Sequence, residues 1–210
     1  MTPSATRTMI GIVGFSPVLD CYPLGPRLMA ALTERLVDHP TVEIENMTWS
    51  PIHIVQRLQD EDMQRPDRLI LVGAASVSRE PGRVDTYCWK GGKLPDQAVQ
   101  DRIYEAVTGV VDIENTLVIG DHFEVWPAEC FVVEVDLPAD CFGRLVIAEN
   151  EKWTNMTLTA DLGFSPLRVI EAIADIATRL ATIRSAALLV PSKVATPLLP
   201  QSSFLKNHFA

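Results

Sequence analysis

RLILVGAAS, residues 68–76, is an unbroken apolar run that ends in glycine and small residues. Nothing in it alternates polar with apolar, so both faces must be covered, as for a central strand of a parallel sheet. Working outward, TMIGIVG (8–14) is a second buried strand that stops at a glycine where the backbone must turn. TVEIENMTW (41–49) alternates like a strand, and NTLVIGD (115–121) reads as a further buried one. A central sheet built from 8–14, 41–48, 68–74 and 115–120 is therefore expected, with VDTYCW (84–89) as an additional strand.

Helical signals fill the gaps. Leu24, Leu28, Leu32 and Leu36 recur every four positions and share one stripe. Ser50 and Pro51 supply an N-cap and a favourable first helical position for a helix to about residue 62. Val99, Ile103, Ala106 and Val107 share a face of a helix over 95–107. Ser165 and Pro166 open a long helix whose buried stripe is Val169, Ile173, Ile176, Leu180 and Ile183. Alternating strands and helices predict a three-layer α/β/α sandwich with a mainly parallel central sheet. CFVVEVDL (130–137) and GRLVIAEN (143–150), split by a loop with proline and glycine, predict an added hairpin. One domain over 1–184 and an extended tail over 185–210, which carries three prolines and no periodicity, complete the expected organisation.

With 210 residues, 47% apolar and 21% charged, the chain has the composition of a domain with a sizeable core. A formal charge of −9, spread along the sequence, argues against nucleic acid or anionic membrane as partner and suits a basic peptide or tail. No apolar stretch approaches the roughly 20 residues that cross a bilayer. Cys21, Cys88, Cys130 and Cys141 form no Cys-x-x-Cys pair, and the N-terminus carries no apolar signal core. Reduced thiols and a cytoplasmic location are the expectation.

In an open α/β sheet, ligands bind outside the carboxyl ends of the strands, which directs attention to loops 14–25, 73–82, 90–96 and 120–129. The first, GFSPVLDCYPLGPR (14–27), resembles the signature of the nickel-iron hydrogenase maturation endopeptidases, in which glycine-proline-arginine opens the first helix. LILVGAASVSREPGRV is similar to that family's central strand with its proline-glycine turn. LPDQAV resembles its serine-proline-histidine-glutamine helix start, and LGFSPLRVIEAI its closing helix. The four segments keep the family's order across about 170 residues. The resemblance implies a hydrogenase-maturation-peptidase-like (phosphorylase/hydrolase-like) fold.

It also implies a function: a peptidase that senses nickel in a hydrogenase large-subunit precursor and removes its C-terminal extension. Family members hold the metal with an acid in the first loop, an aspartate after the central strand and a histidine at the later helix start. Here those positions fall at Tyr22 (or Cys21 with a shifted gap), Gly73 and Asp96. Tyr22 and Gly73 are lost ligands, Asp96 keeps ligand chemistry, and Asp20 is a nearby substitute. Cys21 and His122, softer donors that suit nickel or zinc, could join Asp20 and Asp96 in a relocated site. No pair of these has tight local spacing, and each has a plainer reading as a core thiol, a loop cap or a loop histidine.

Other chemistries lack support. There is no Gly-x-Ser-x-Gly elbow, and Gly11-x-x-Gly14 lacks the third glycine and the Lys-Ser/Thr of a phosphate loop. The stretch 125–162 is longer than the family's connection and contributes Trp126, Phe131 and Trp153 beside several acids, a composition that suits either a partner interface or core. Two functions follow. One is an assembly factor that recognises a protein client, such as a hydrogenase large-subunit precursor, with no tightly bound cofactor of its own and nickel residing in the client. The alternative is an active metal-dependent endopeptidase.

Overall fold

The computed structural model describes residues 6–13, 24–47, 50–60, 64–75, 80–107, 113–136, 164–183 and 190–195. Strands β1 (Thr8–Val13), β2 (Val42–Met47), β3 (Arg68–Ala75), β4 (Val84–Trp89), β5 (Glu129–Asp136) and β6 (Ser192–Lys193) make one sheet, ordered β2-β1-β3-β5-β4-β6. β2, β1, β3 and β5 are parallel, β4 is antiparallel to β5, and β6 follows β4. Helices α1 (Leu24–Arg35) and α5 (Pro166–Thr182) cover one face; α2 (Pro51–Gln59), α3 (Asp96–Val107) and α4 (Ile113–His122) cover the other. The molecule is the expected three-layer α/β/α sandwich with a mainly parallel sheet.

The alternation of side chains along each strand divides the core in two. Ile10, Ile12, Ile70, Val72, Phe131 and Val133 meet Leu28, Leu32 and Leu36 from the α1 stripe and Val169, Ile170 and Ile173 from α5. Met9, Val13, Leu69, Leu71, Tyr87 and Val132 meet Ile54, Leu58, Leu117 and Val118 on the opposite side. Leu69, Ile70, Leu71 and Val72 of β3 are buried, each side chain contributing about 1.5–3 kcal/mol by its removal from water.

Two sequence expectations are corrected. Residues 115–120 are not a strand but lie inside α4, where Asn115, Thr116, Leu117, Val118, Ile119 and Gly120 are all buried. A helix wedged between the sheet, α2 and α3 is covered all round, so its sequence loses the amphipathic stripe and mimics a buried strand. The strand place beside β3 belongs to β5, which matches it residue for residue from Arg68↔Glu129 to Ala75↔Asp136. CFVVEVDL is thus an interior strand rather than half of an added hairpin; residues 143–150 lie outside those described. Within the stretch 185–210, residues 190–195 run extended along β4.

Arg68 closes one end of this arrangement. It is 2% exposed, and its guanidinium donates from Nε (2.8 Å) and Nη2 (2.7 Å) to Glu129 Oε2 on the neighbouring strand. Nη1 donates to the carbonyls of Leu180 and Ile183, both at 2.7 Å, at the end of α5. Those last-turn carbonyls have no helical donor, and they sit at the negative end of the helix dipole. The guanidinium also stacks over Phe131, 5.9 Å from the ring centroid. One planar cation thereby fastens β3, β5 and α5 together.

A second constraint lies after β4. Gly91 has φ +65°, and a Cβ there would fall 2.6 Å from Asp121 Oδ1, while the Gly92 N–H donates to Asp121 Oδ2 at 3.1 Å. The turn needs both a left-handed residue and a bare one.

Arg68→Met is expected to cost about 1–3 kcal/mol in urea-midpoint measurements, because part-exposed Glu129 and the Leu180 and Ile183 carbonyls lose their buried donor. Adding Glu129→Gln should recover part of that loss; additive losses would rule out the coupling. Gly91→Ala should cost about 1–3 kcal/mol through its φ, and pairing it with Asp121→Ala should not restore stability.

Candidate functional site

β4 runs against its neighbours, so the sheet has two unlike ends. β1, β2, β3 and β5 finish at the carboxyl end, which also holds the start of β4. The chain passes from β1 to β2 on one side and then to β3 on the other, which makes the gap between β1 and β3 the topological switch point where open α/β sheets take ligands. Gly73 lies there. A Cβ on it would stand 2.7 Å from the Val13 carbonyl oxygen and 2.6 Å from Ile113 Cδ1. The first residue of α4 therefore fills the space in which a ligand side chain would have to grow.

Beside Gly73 the register sets a row of acids. Glu134 is the β5 partner of Gly73, and Asp85 is the β4 partner of Glu134, so their side chains share the face covered by α3 and α4. Tyr87, two residues beyond Asp85, shares that face and is buried. Burial first, and then the charge of Glu134, hold its phenol well above the usual tyrosine range, so it stays neutral. Like charges directly across a strand pair repel unless each has an outlet. Asp85 has Arg83, whose Nε and Nη2 both lie 2.9 Å from Oδ1. Glu114, at the start of α4, accepts from Arg102 at 3.1 Å. Arg102, buried between α3 and α4, also donates to Asn115 Oδ1 at 2.5 Å, and Asn115 donates to Glu105 at 3.1 Å. Asp85 and Glu114 each have an arginine partner, and among the described residues no three His, Cys, Asp or Glu side chains come together as metal donors.

The sequence candidates divide between the two ends. Asp20, Cys21 and Tyr22 fall outside the described residues, between Val13 at the carboxyl end of β1 and Leu24 at the start of α1. Asp96 and His122 belong to the other end. β4 finishes at the amino end, loop 90–95 leaves from there, and Asp96 opens α3 with an exposed side chain. α4 starts against Gly73 and descends, which carries Asp121 to the Gly92 amide and exposed His122 to the amino end, edge-on to Phe123 at 5.2 Å. The antiparallel run of β4 puts loop 90–96 at the amino end, and the helical 113–122 leading into β5 puts loop 120–129 there, away from loop 73–82 and against the expectation that all face one edge.

The aromatic candidates are corrected as well. Phe131 is fully enclosed, because β5 is interior, and cannot meet a partner. Trp126 is half-buried; its ring covers Gly120, and its N–H donates to Leu117 O at 2.8 Å. Trp153 lies outside the described residues. Cys88 and Cys130 are buried free thiols on opposite faces of the sheet, since Cys88 pairs with Phe131 rather than with Cys130. Sequence reasoning missed Glu134, Asp85 and Arg102. An acid interrupting the apolar run FVVEVD was the available signal for Glu134, and it carried meaning only once β5 was known to be interior.

An open polar hollow elsewhere, at the amino ends of β1 and β2, is occupied by Arg7, which donates to Gln64 at 2.7 Å and Glu43 at 3.2 Å. Its charges are already satisfied.

No family model and no curated protein matches the chain. Among solved structures, a hydrogenase 2 maturation peptidase from Thaumarchaeota archaeon SCGC_AB-539-E09 is similar at 15% identity, over 69% of this chain and 94% of that one, with a TM-score of 0.32. A likeness of that size carries no argument about function.

Proposed function

We propose that this chain is a cytoplasmic assembly factor that recognises a protein client in metalloenzyme maturation, by resemblance a nickel-iron hydrogenase large-subunit precursor, without cutting it. Four ordered segments of resemblance support the link to maturation. The observation that carries the non-cutting reading is the closed packing at Gly73, where a metal-binding side chain would collide with Ile113 and the Val13 carbonyl. A borderline divalent metal gains affinity from several converging donors of suitable type. The second family position offers none, Tyr22 is a poor ligand at neutral pH with an ordinary pKa near ~10, and Asp96 starts a helix from the far end of the sheet. Nickel does not fit these positions, so no catalytic step is derived through it. Among the described residues no helix is long and apolar enough to cross a membrane, and the charge of −9 favours a basic segment in the client.

Calorimetry on tag-free protein should show weak nickel and zinc binding, unaffected by Asp20→Ala or Asp96→Ala. Incubation with a hydrogenase precursor should give co-purification without shortening of the precursor. Tight stoichiometric binding that disappears in either variant, or a trimmed precursor, would restore the endopeptidase. Gly73→Asp should not create a metal site; it should lower stability by about 1–3 kcal/mol through overpacking against Ile113, with nickel affinity unchanged.

A further inference from the structure

The outer edge of β4 is bonded by residues 190–195, which follow α5 in the chain. Residues 190–195 lie along it in parallel: Cys88 N–H donates to Pro191 O (2.8 Å), Lys90 N–H to Lys193 O (2.9 Å), and Ala195 N–H to Gly91 O (2.9 Å). Positions 191, 193 and 195 are alternate residues of one extended strand, the pattern by which a peptide adds to a sheet edge. Two side chains in this segment have defined seats. Lys193 Nζ stands 4.6 Å from the centroid of the Tyr87 ring, and Ala195 lies against the bare backbone of Gly92, where an added Cβ would come within 3.2 Å of it. A cation over an aromatic face is attracted by the ring quadrupole.

Of the other residues, Val190 packs part-buried against the α1 and α5 side of the core, and the rest are loosely held. Pro191 and Ser192 are exposed and Val194 is 56% exposed. β4 does not need the segment for its register, because Val84–Cys88 is already paired with β5. The contacts are therefore backbone bonds that any extended chain can make, plus one part-buried valine, one cation and one small residue.

We infer that the β4 edge is a peptide-binding edge in which the chain's own 190–195 segment stands in for the ligand. The ligand is an extended strand of a protein client, parallel to β4, with Lys or Arg stacked on Tyr87 and a small residue two positions later against Gly92. This names the chemistry of the client segment and rests on the client-recognition reading for its biological meaning; the edge's capacity to bind is independent of it. The overall charge of −9 favours the same basic ligand. Segments with few buried contacts open locally long before the core does, which gives the client strand its access.

Hydrogen exchange on the full chain tests the opening. The Cys88 and Lys90 amides should exchange about 100-fold or more faster than those of Val132 and Val133, through local release of the segment. A labelled peptide VPSKVATP should bind Ala195→Trp, whose own strand no longer fits beside Gly92, at least about ten-fold tighter than the unaltered chain. That binding should restore protection at Cys88 and Lys90. Replacing the peptide's lysine by alanine, or Tyr87→Leu in the protein, should weaken it about ten-fold, whereas Tyr87→Phe should not. If Ala195→Trp fails to fold, Lys193→Ala serves in its place, with faster Cys88 and Lys90 exchange expected. The inference is overturned if those two amides exchange only at the rate of β5, or if the peptide binds without protecting them. Co-purification of a precursor with no peptide effect would sink the edge and leave client recognition standing; the reverse would sink the client and leave the edge.

Discussion

The guanidinium of Arg68 holds the sandwich together at a point where three elements would otherwise end in unpaired groups. β3 and β5 begin there and α5 stops there, so one strand pair and one helix terminus share the buried Arg68 as their partner. A planar cation with five donors meets that need, placing two donors on a carboxylate and one between two carbonyls. Because Glu129 is the register partner of Arg68, the same contact also fixes which residue of β5 lies beside which residue of β3. All that follows along those strands, including the pairing of Gly73 with Glu134, inherits that register.

The reversal of β4 has the larger effect on function. In a fully parallel sheet, the turn after β4 and the start of α3 would join the loops after β1 and β3 at one edge. Running β4 against β5 sends loop 90–95 to the amino end, and α4 descends to meet it through the Asp121 carboxylate and the Gly92 amide. Asp96 and His122 therefore keep company with each other rather than with the residues that follow β1. The carboxyl end is left with acids separated by Arg83 and Arg102, a buried neutral phenol, and a glycine sealed by Ile113.

Tyr87 links the two ends of β4. Asp85 and Glu134 stand near its start, while Tyr87 connects them to the edge where Lys193 rests. A ring flanked by acids on one side and by a cation on the other is an arrangement in which charge complementarity and strand geometry reinforce each other.

The sequence by itself determined the fold class, the placing of β1, β2, β3 and β4, and most of the α1 and α5 stripes, Ile183 being exposed just past the end of α5, because those signals are local. A period of two or of 3.6 is written into consecutive residues, and Ser50-Pro51 or Ser165-Pro166 marks a helix start without help from the rest of the chain. Only the tertiary structure decided that NTLVIGD is a helix and CFVVEVDL an interior strand. Both are short apolar runs, and what distinguishes them is which neighbours enclose them, a property that no window of sequence contains. The direction of β4 was equally hidden, because a strand's residues look the same whichever way it runs. Together with the helix at 113–122, that direction decides which loops share an end of the sheet.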